Sequence, residues 1–78
     1  MQTKFKVGQI VRVDAGRERR QFMVIVEIVD EYLYLANGSN RTVLSPKKKK
    51  LIHVYKTNSY CHNLSDESIF SILKRFNE

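Results

Sequence analysis

The sequence predicts a mostly β domain, a small five-stranded barrel with a C-terminal α-helix, and three observations carry that expectation. Short β-prone apolar runs alternate with turn residues from Gln9 to Tyr55. One of them, Phe22 to Val29, is apolar at nearly every position, so it reads as a long central strand that bends across the barrel with both faces buried. The period then changes: Ile69, Ile72, Leu73 and Phe76 recur at i, i+3, i+4 and i+7, the apolar stripe of one helix.

The first strand, residues 9–14, follows from Val7, Val11 and Val13 on one parity with Lys6, Arg12 and Asp14 on the other. Gly8 and Gly16 bracket it and read as turn residues that give the backbone its shape. Within the central strand Glu27 marks the point where the chain emerges. Tyr32 to Leu35 alternates aromatic with aliphatic, and Asn37-Gly38 behind it is the pair best suited to the positive φ angles of a tight hairpin turn. Thr42-Val43-Leu44 is then the return strand, and Pro46, which lacks an amide hydrogen, ends its pairing. Leu51 to Tyr55 resumes the alternation as the fifth strand. Residues 57–64 carry no periodicity and read as a connector. Ser65 is placed as the N-cap of a helix over residues 66–76. Asp66 and Glu67 fall in its first turn and Lys74 and Arg75 in its last, both favourable to the helix dipole. The domain plan is a barrel over residues 1–56, a connector over 57–64, and a helical tail over 65–78 packed on or beside the barrel.

A chain of 78 residues holds one core, since a domain of this size buries only roughly 60 to 65% of its unfolded surface. The formal charge of +6 is unevenly spread. Residues 1–56 hold 12 Lys and Arg against 5 Asp and Glu, whereas residues 57–78 hold 2 against 3. The basic character therefore belongs to the β body. A pI near 9.7 favours phosphate or anionic surfaces as partners. Cys61 is the sole cysteine, so no intramolecular disulfide forms, a cysteine-based zinc site is disfavoured, and a reducing compartment fits. No apolar run approaches the ~18 residues of a membrane span, and Met1-Gln2-Thr3-Lys4 leads into charge without a signal-peptide core. A cytoplasmic location is expected, with no membrane partner and a monomeric state.

Two cationic clusters carry the functional expectation. Lys47, Lys48, Lys49 and Lys50 follow Pro46, and Arg17, Arg19 and Arg20 lie between two apolar runs upstream. Adjacent like charges repel, so they persist where solvent or a polyanion neutralises them. Lysine and arginine neutralise phosphates and release counterions, and the planar arginine fork also stacks on unpaired bases. Val7-Gly8-Gln9-Ile10-Val11-Arg12-Val13-Asp14-Ala15-Gly16, a basic loop, and Phe22 through Asp30 together resemble the KOW motif. Pro46 through His53 is similar to the basic segment of short single-domain KOW proteins of Gram-positive bacteria, themselves similar to KOW-bearing large-subunit ribosomal proteins of archaea and eukaryotes. The likeness covers roughly residues 5–56 and departs at Arg20, where the motif usually carries a second glycine, and at Met23, a further small-residue position. It implies an SH3-like β-barrel that binds RNA through its loops, ribosomal RNA first, with ribosomal proteins as secondary partners and a role connected with translation. The residues expected to touch RNA are Arg17, Arg19, Arg20, Lys47, Lys48, Lys49 and Lys50, with Arg41 and Lys56 peripheral, and with Gly8, Gly16 and Gly38 as structural turns.

Competing readings are blander. A lysine run also serves as a merely solvated loop, and alternating aromatics such as Tyr32 and Tyr34, or Tyr55, more often cover a core than stack on bases. His53 reads as an ordinary strand residue. Cys61-His62 lacks an orienting acid and its adjacent side chains diverge, so neither catalysis nor a metal or cofactor site is expected. An SH3-like protein-interaction module is the alternative function. Binding to an anionic membrane has no basic amphipathic helix or lipid anchor behind it.

Overall fold

The computed structural model describes residues 4–77. Its elements run β1 (Gln9–Val13), β2 (Phe22–Val29), β3 (Tyr32–Ala36), β4 (Lys47–Lys50), a 3₁₀ turn (Leu51–His53), β5 (Val54–Tyr60) and α1 (Asp66–Asn77). The strands make one antiparallel sheet in the order β4-β3-β2-β1-β5. Among the described residues the two edges, β4 and β5, do not pair, so the expected closure into a barrel is not made by backbone hydrogen bonds.

Strand alternation splits the apolar residues between two faces. Val11, Val13, Met23, Ile25, Leu33, Leu35 and Val54 form one core, with Phe5, Ile28 and Leu51 at its margin. Ile10, Val24 and Ala36 point the other way and are covered by Ile69 and Leu73 of α1, with Cys61 beside them. β2 is apolar at almost every position because both of its faces are buried over its first half. Between Ile25 and Glu27 its register against β3 slips. Val26 is the extra residue, and such a bulge bends a strand and increases its twist. Beyond it Glu27 and Val29 are exposed. Asp30 and Glu31 make the turn to β3, with Asp30 at φ +52, a conformation its short polar side chain tolerates.

The helix is held at both ends. Ser65 caps it as expected, its Oγ accepting from the Ser68 amide at 3.2 Å. Asp66 Oδ1 accepts from the Val43 amide at 2.8 Å, which ties the first turn to the loop before β4. At the far end Asn77 Oδ1 accepts from the Phe22 amide at 3.0 Å, and the Phe22 and Phe76 rings lie 5.3 Å apart. Glu78, the last residue of the expected helical tail, lies outside the described residues, as do Met1 to Thr3.

Four expectations are corrected. Lys47–Lys50 is a strand, pairing Leu35 with Lys47 through to Tyr32 with Lys50, because lysine stems lie along an edge strand while their ammonium groups reach water. Thr42-Val43-Leu44 is not a strand. A single bridge joins Thr42 to Ser45, and Leu44 is 96% exposed. Asn37-Gly38 makes no tight hairpin: Asn37 Oδ1 accepts from the Ser39 and Arg41 amides, opening a longer loop over residues 37–46. The last strand starts at Val54 rather than Leu51 and continues to Tyr60, taking half of the expected connector. Its polar residues pair because their partners on β1 supply the ladder and because Thr57 and Gln9 bond across it. Thr57 Oγ1 donates to the Ile10 carbonyl at 2.7 Å and Gln9 Nε2 to the Thr57 carbonyl at 2.9 Å.

Gly38 is where loop and helix meet. Its φ is +78, and a Cβ there would strike the Asp66 carbonyl and sit 2.8 Å from the Phe70 nitrogen. Gly16 has the same φ, but a Cβ would meet only the movable end of Lys49. Gly38→Ala should therefore lose well over 1 kcal/mol, the left-handed strain plus a clash with rigid backbone, while Gly16→Ala should lose about 1 kcal/mol. Urea unfolding of both variants checks this; equal losses would show that α1 does not sit against Gly38. Ile69→Ala, at a fully buried position of the stripe, should cost about 2–5 kcal/mol, and an unchanged melting temperature would detach the helix from the sheet.

Candidate nucleic-acid interface

The arginine cluster lies on the loop over residues 14–21 between β1 and β2. Val13 and Gln21 close it, the Val13 amide donating to the Gln21 carbonyl at 2.9 Å and the Arg20 amide to the Val13 carbonyl at 2.7 Å. Arg20 sits at φ +72. That is the left-handed region, which glycine occupies freely and a larger side chain adopts at a cost. Arg17, Arg19 and Arg20 are all exposed.

The residue between them is not. Glu18 is buried, and its Oε2 accepts from Arg41 Nε at 3.2 Å and Arg41 Nη2 at 3.1 Å. Lys49 Nζ stands 3.8 Å from Oε1, which has no hydrogen-bond partner of its own. Burial raises the pKa of this carboxyl. The Arg41 hydrogen bond and charge, the Lys47 charge and the Glu18 backbone amide outweigh that, and the group is held below the ordinary glutamate value. One carboxylate thus fastens the loop to β4 and to the loop before it, and Gly16 lies against the end of Lys49. The two cationic segments, separated in sequence, meet at one edge of the sheet.

Meeting there, they do not present all their charges. Lys47 and Lys49 pair with Leu35 and Leu33 and are half-buried on the core face, and the Lys49 side chain is only 11% exposed. Lys48 and Lys50 pair with Tyr34 and Tyr32 and are exposed on the opposite face. Lys48 Nζ lies 4.3 Å from the centre of the Tyr32 ring. Of the residues expected to touch RNA, Arg17, Arg19, Arg20, Lys48 and Lys50 are free to meet a ligand, while Arg41, Lys49 and in part Lys47 serve Glu18. Lys56 is exposed on β5, which in strand order is the other edge of the sheet.

Glu18 is the functional residue that sequence reasoning missed. The available signal is a single carboxylate inside a cationic loop, which by charge count only dilutes the cluster. Elsewhere, His53 and His62 are exposed and Cys61 is buried with its Sγ donating to the Asn63 carbonyl at 3.2 Å. Among the described residues no three His, Cys, Asp or Glu side chains gather as a metal-binding group, and no helix is long and apolar enough to cross a membrane. No protein-family model matches this chain, and neither does any curated protein.

The lowered pKa of Glu18 sets a pH dependence. A carboxyl more acidic in the folded state than in the unfolded chain stabilises the fold above its unfolded pKa, and that stabilisation disappears as pH falls through the folded value. Glu18→Gln should therefore cost about 1–3 kcal/mol at neutral pH, since it leaves Arg41 and Lys49 without a counter-charge. The difference between wild type and variant should shrink below the ordinary glutamate range. Urea unfolding of both proteins at stepped pH measures it; a difference that holds constant into acid would mean Glu18 is not the titrating anchor.

Proposed function

We propose that this protein is a non-catalytic RNA-binding module of the KOW type, built on an SH3-like β-barrel and acting in the cytoplasm on ribosomal or other structured RNA. The observation that carries this reading is the meeting of the arginine loop with β4 at one edge of the sheet, where Arg41 and Lys49 neutralise the buried Glu18, while Arg17, Arg19 and Arg20 stay exposed on the loop and Lys48 and Lys50 stay exposed on the outer face of β4. Such a surface attracts phosphates through charge and counterion release. Support for the SH3-like barrel comes from the strand order, with a long bulged β2 at the centre and a 3₁₀ turn carrying the chain from one edge strand to the other. The left-handed Arg20 in the position of the motif's glycine agrees with the KOW resemblance. Ribosomal proteins are secondary partners in this proposal.

The split of the lysine run decides which variants test it. Lys48→Ala with Lys50→Ala should leave stability within about 0.5 kcal/mol and weaken RNA binding. The same pair should reduce the dependence of log K on log salt by roughly 0.7 to 0.9 for each phosphate that is no longer neutralised. Lys49→Ala should instead lower the melting temperature, because it strips a cation from Glu18. Arg20→Gly removes a charge while relieving a left-handed φ, so it should bind RNA less well with stability unchanged or raised. These are binding titrations on structured RNA at several salt concentrations, paired with thermal melts. A folded wild type that binds no RNA at low salt would end the proposal, and the basic edge would then be solvated surface or a docking site for an acidic protein.

A further inference from the structure

The sheet has an outer face that the helix covers only in part. α1 lies over Ile10, Val24 and Ala36, all on the near side of the Val26 bulge. On the far side the same face carries two cross-strand rows, Glu27–Tyr34–Lys48 and Val29–Tyr32–Lys50, set by the pairing of β2, β3 and β4. Leu33 and Leu35, between and beside the tyrosines, are fully buried on the opposite face. The two tyrosines are therefore not core residues. Neither belongs to a hydrophobic cluster, and the Tyr32 ring is met by the Lys48 ammonium.

We propose that this face, on which Tyr32 and Tyr34 are half-exposed and Lys48 and Lys50 exposed, is a stacking platform for a single-stranded, unpaired segment of nucleic acid, with the bases on Tyr32 and Tyr34 and the phosphates on Lys48 and Lys50. The inference rests on the RNA-binding reading and names the form of RNA that reading leaves open. Three features favour it. Residues i and i+2 of a strand lie about 6.6 Å apart on one face, so Tyr32 and Tyr34 offer two ring surfaces side by side, within reach of neighbouring nucleotides of one strand. Charge is distributed across the rows with a direction: the cations stand on β4, while Glu27 stands on β2 on the other side of Tyr34. A phosphate chain is thereby drawn along β4 with its bases over β3. The Lys48 ammonium already lies on the Tyr32 ring, so an arriving base takes the ring and releases the lysine to the adjacent phosphate. Base–aromatic stacking of this kind tolerates any sequence, because every base has a π-face.

The test compares an oligouridylate with an RNA duplex of equal phosphate number, titrated against wild type, Y32L/Y34L and Y32F/Y34F. The leucine pair should lose about tenfold in single-strand affinity for each ring that stacks and keep its duplex affinity, whereas the phenylalanine pair should stay near wild type on both. Equal losses on both RNAs, no loss on the single strand, or equally good competition by polyglutamate would overturn the platform. If wild type binds neither RNA, the RNA-binding reading itself fails, which is a different outcome from wild type binding RNA with the tyrosines idle. Should the leucine pair not fold, proton NMR of wild type decides: the ring resonances of Tyr32 and Tyr34 should move upfield on adding oligouridylate, and their staying fixed while loop 14–21 responds would sink the idea.

Discussion

The Glu18 carboxylate lies buried where the β1–β2 loop meets β4, and its neutralisation by Arg41 and Lys49 is the constraint on which the cationic edge depends. Removing a carboxylate from water is costly unless its charge is matched. The match here uses cations from two distant parts of the chain, so the loop, the segment before β4 and β4 itself are drawn to one point. With Glu18 turned inward, Arg17 and Arg19 on either side of it turn outward. The same interaction that orders the loop therefore also decides which charges it displays.

A second consequence falls on β4. Four consecutive lysines in an extended strand alternate between faces, and the two faces meet different demands. The inward pair lies along the core margin next to a buried acid, and the outward pair stands beside tyrosines in solvent. Lysine suits both positions because its stem is apolar and its charge is at the tip. The charges also discourage pairing of other chains with this unpaired edge. A run that looks uniform in composition is thus two structural residues and two surface residues.

The helix and the Val26 bulge divide the outer face in the same way. Before the bulge, β2 is sandwiched between two apolar clusters and α1 is fastened there by Asp66 and Asn77. After it Glu27 and Val29 are exposed, and the face they share with β3 and β4 carries the half-buried Tyr32 and Tyr34 and the exposed Lys48 and Lys50. The backing of that face is the fully buried Leu33 and Leu35, so the side chains of Tyr32, Tyr34, Lys48 and Lys50 are carried by the sheet and not by a loop.

The local code of this chain determined β1, the long apolar β2, the aromatic strand β3 and the capped helix from Asp66, because each declares itself through a period or a cap within a few residues. The excess of positive charge in the β body was equally legible, as was the placing of Gly8, Gly16 and Gly38 at turns, where all three have positive φ. Tertiary structure decided the rest. Lys47 to Lys50 became a strand because β3 offered an unpaired edge, and Thr57 to Tyr60 became one because β1 offered the other. Neither polar segment carries an apolar period, so only a partner distant in sequence could order it. Thr42 to Leu44 has β-prone residues but forms no ladder, because the Val43 amide is taken by Asp66, another partner far along the chain. Glu18 is the clearest case: its sequence neighbours mark it as one charge among arginines, and its burial follows from where Arg41 and Lys49 come to lie, which is a property of the folded chain alone.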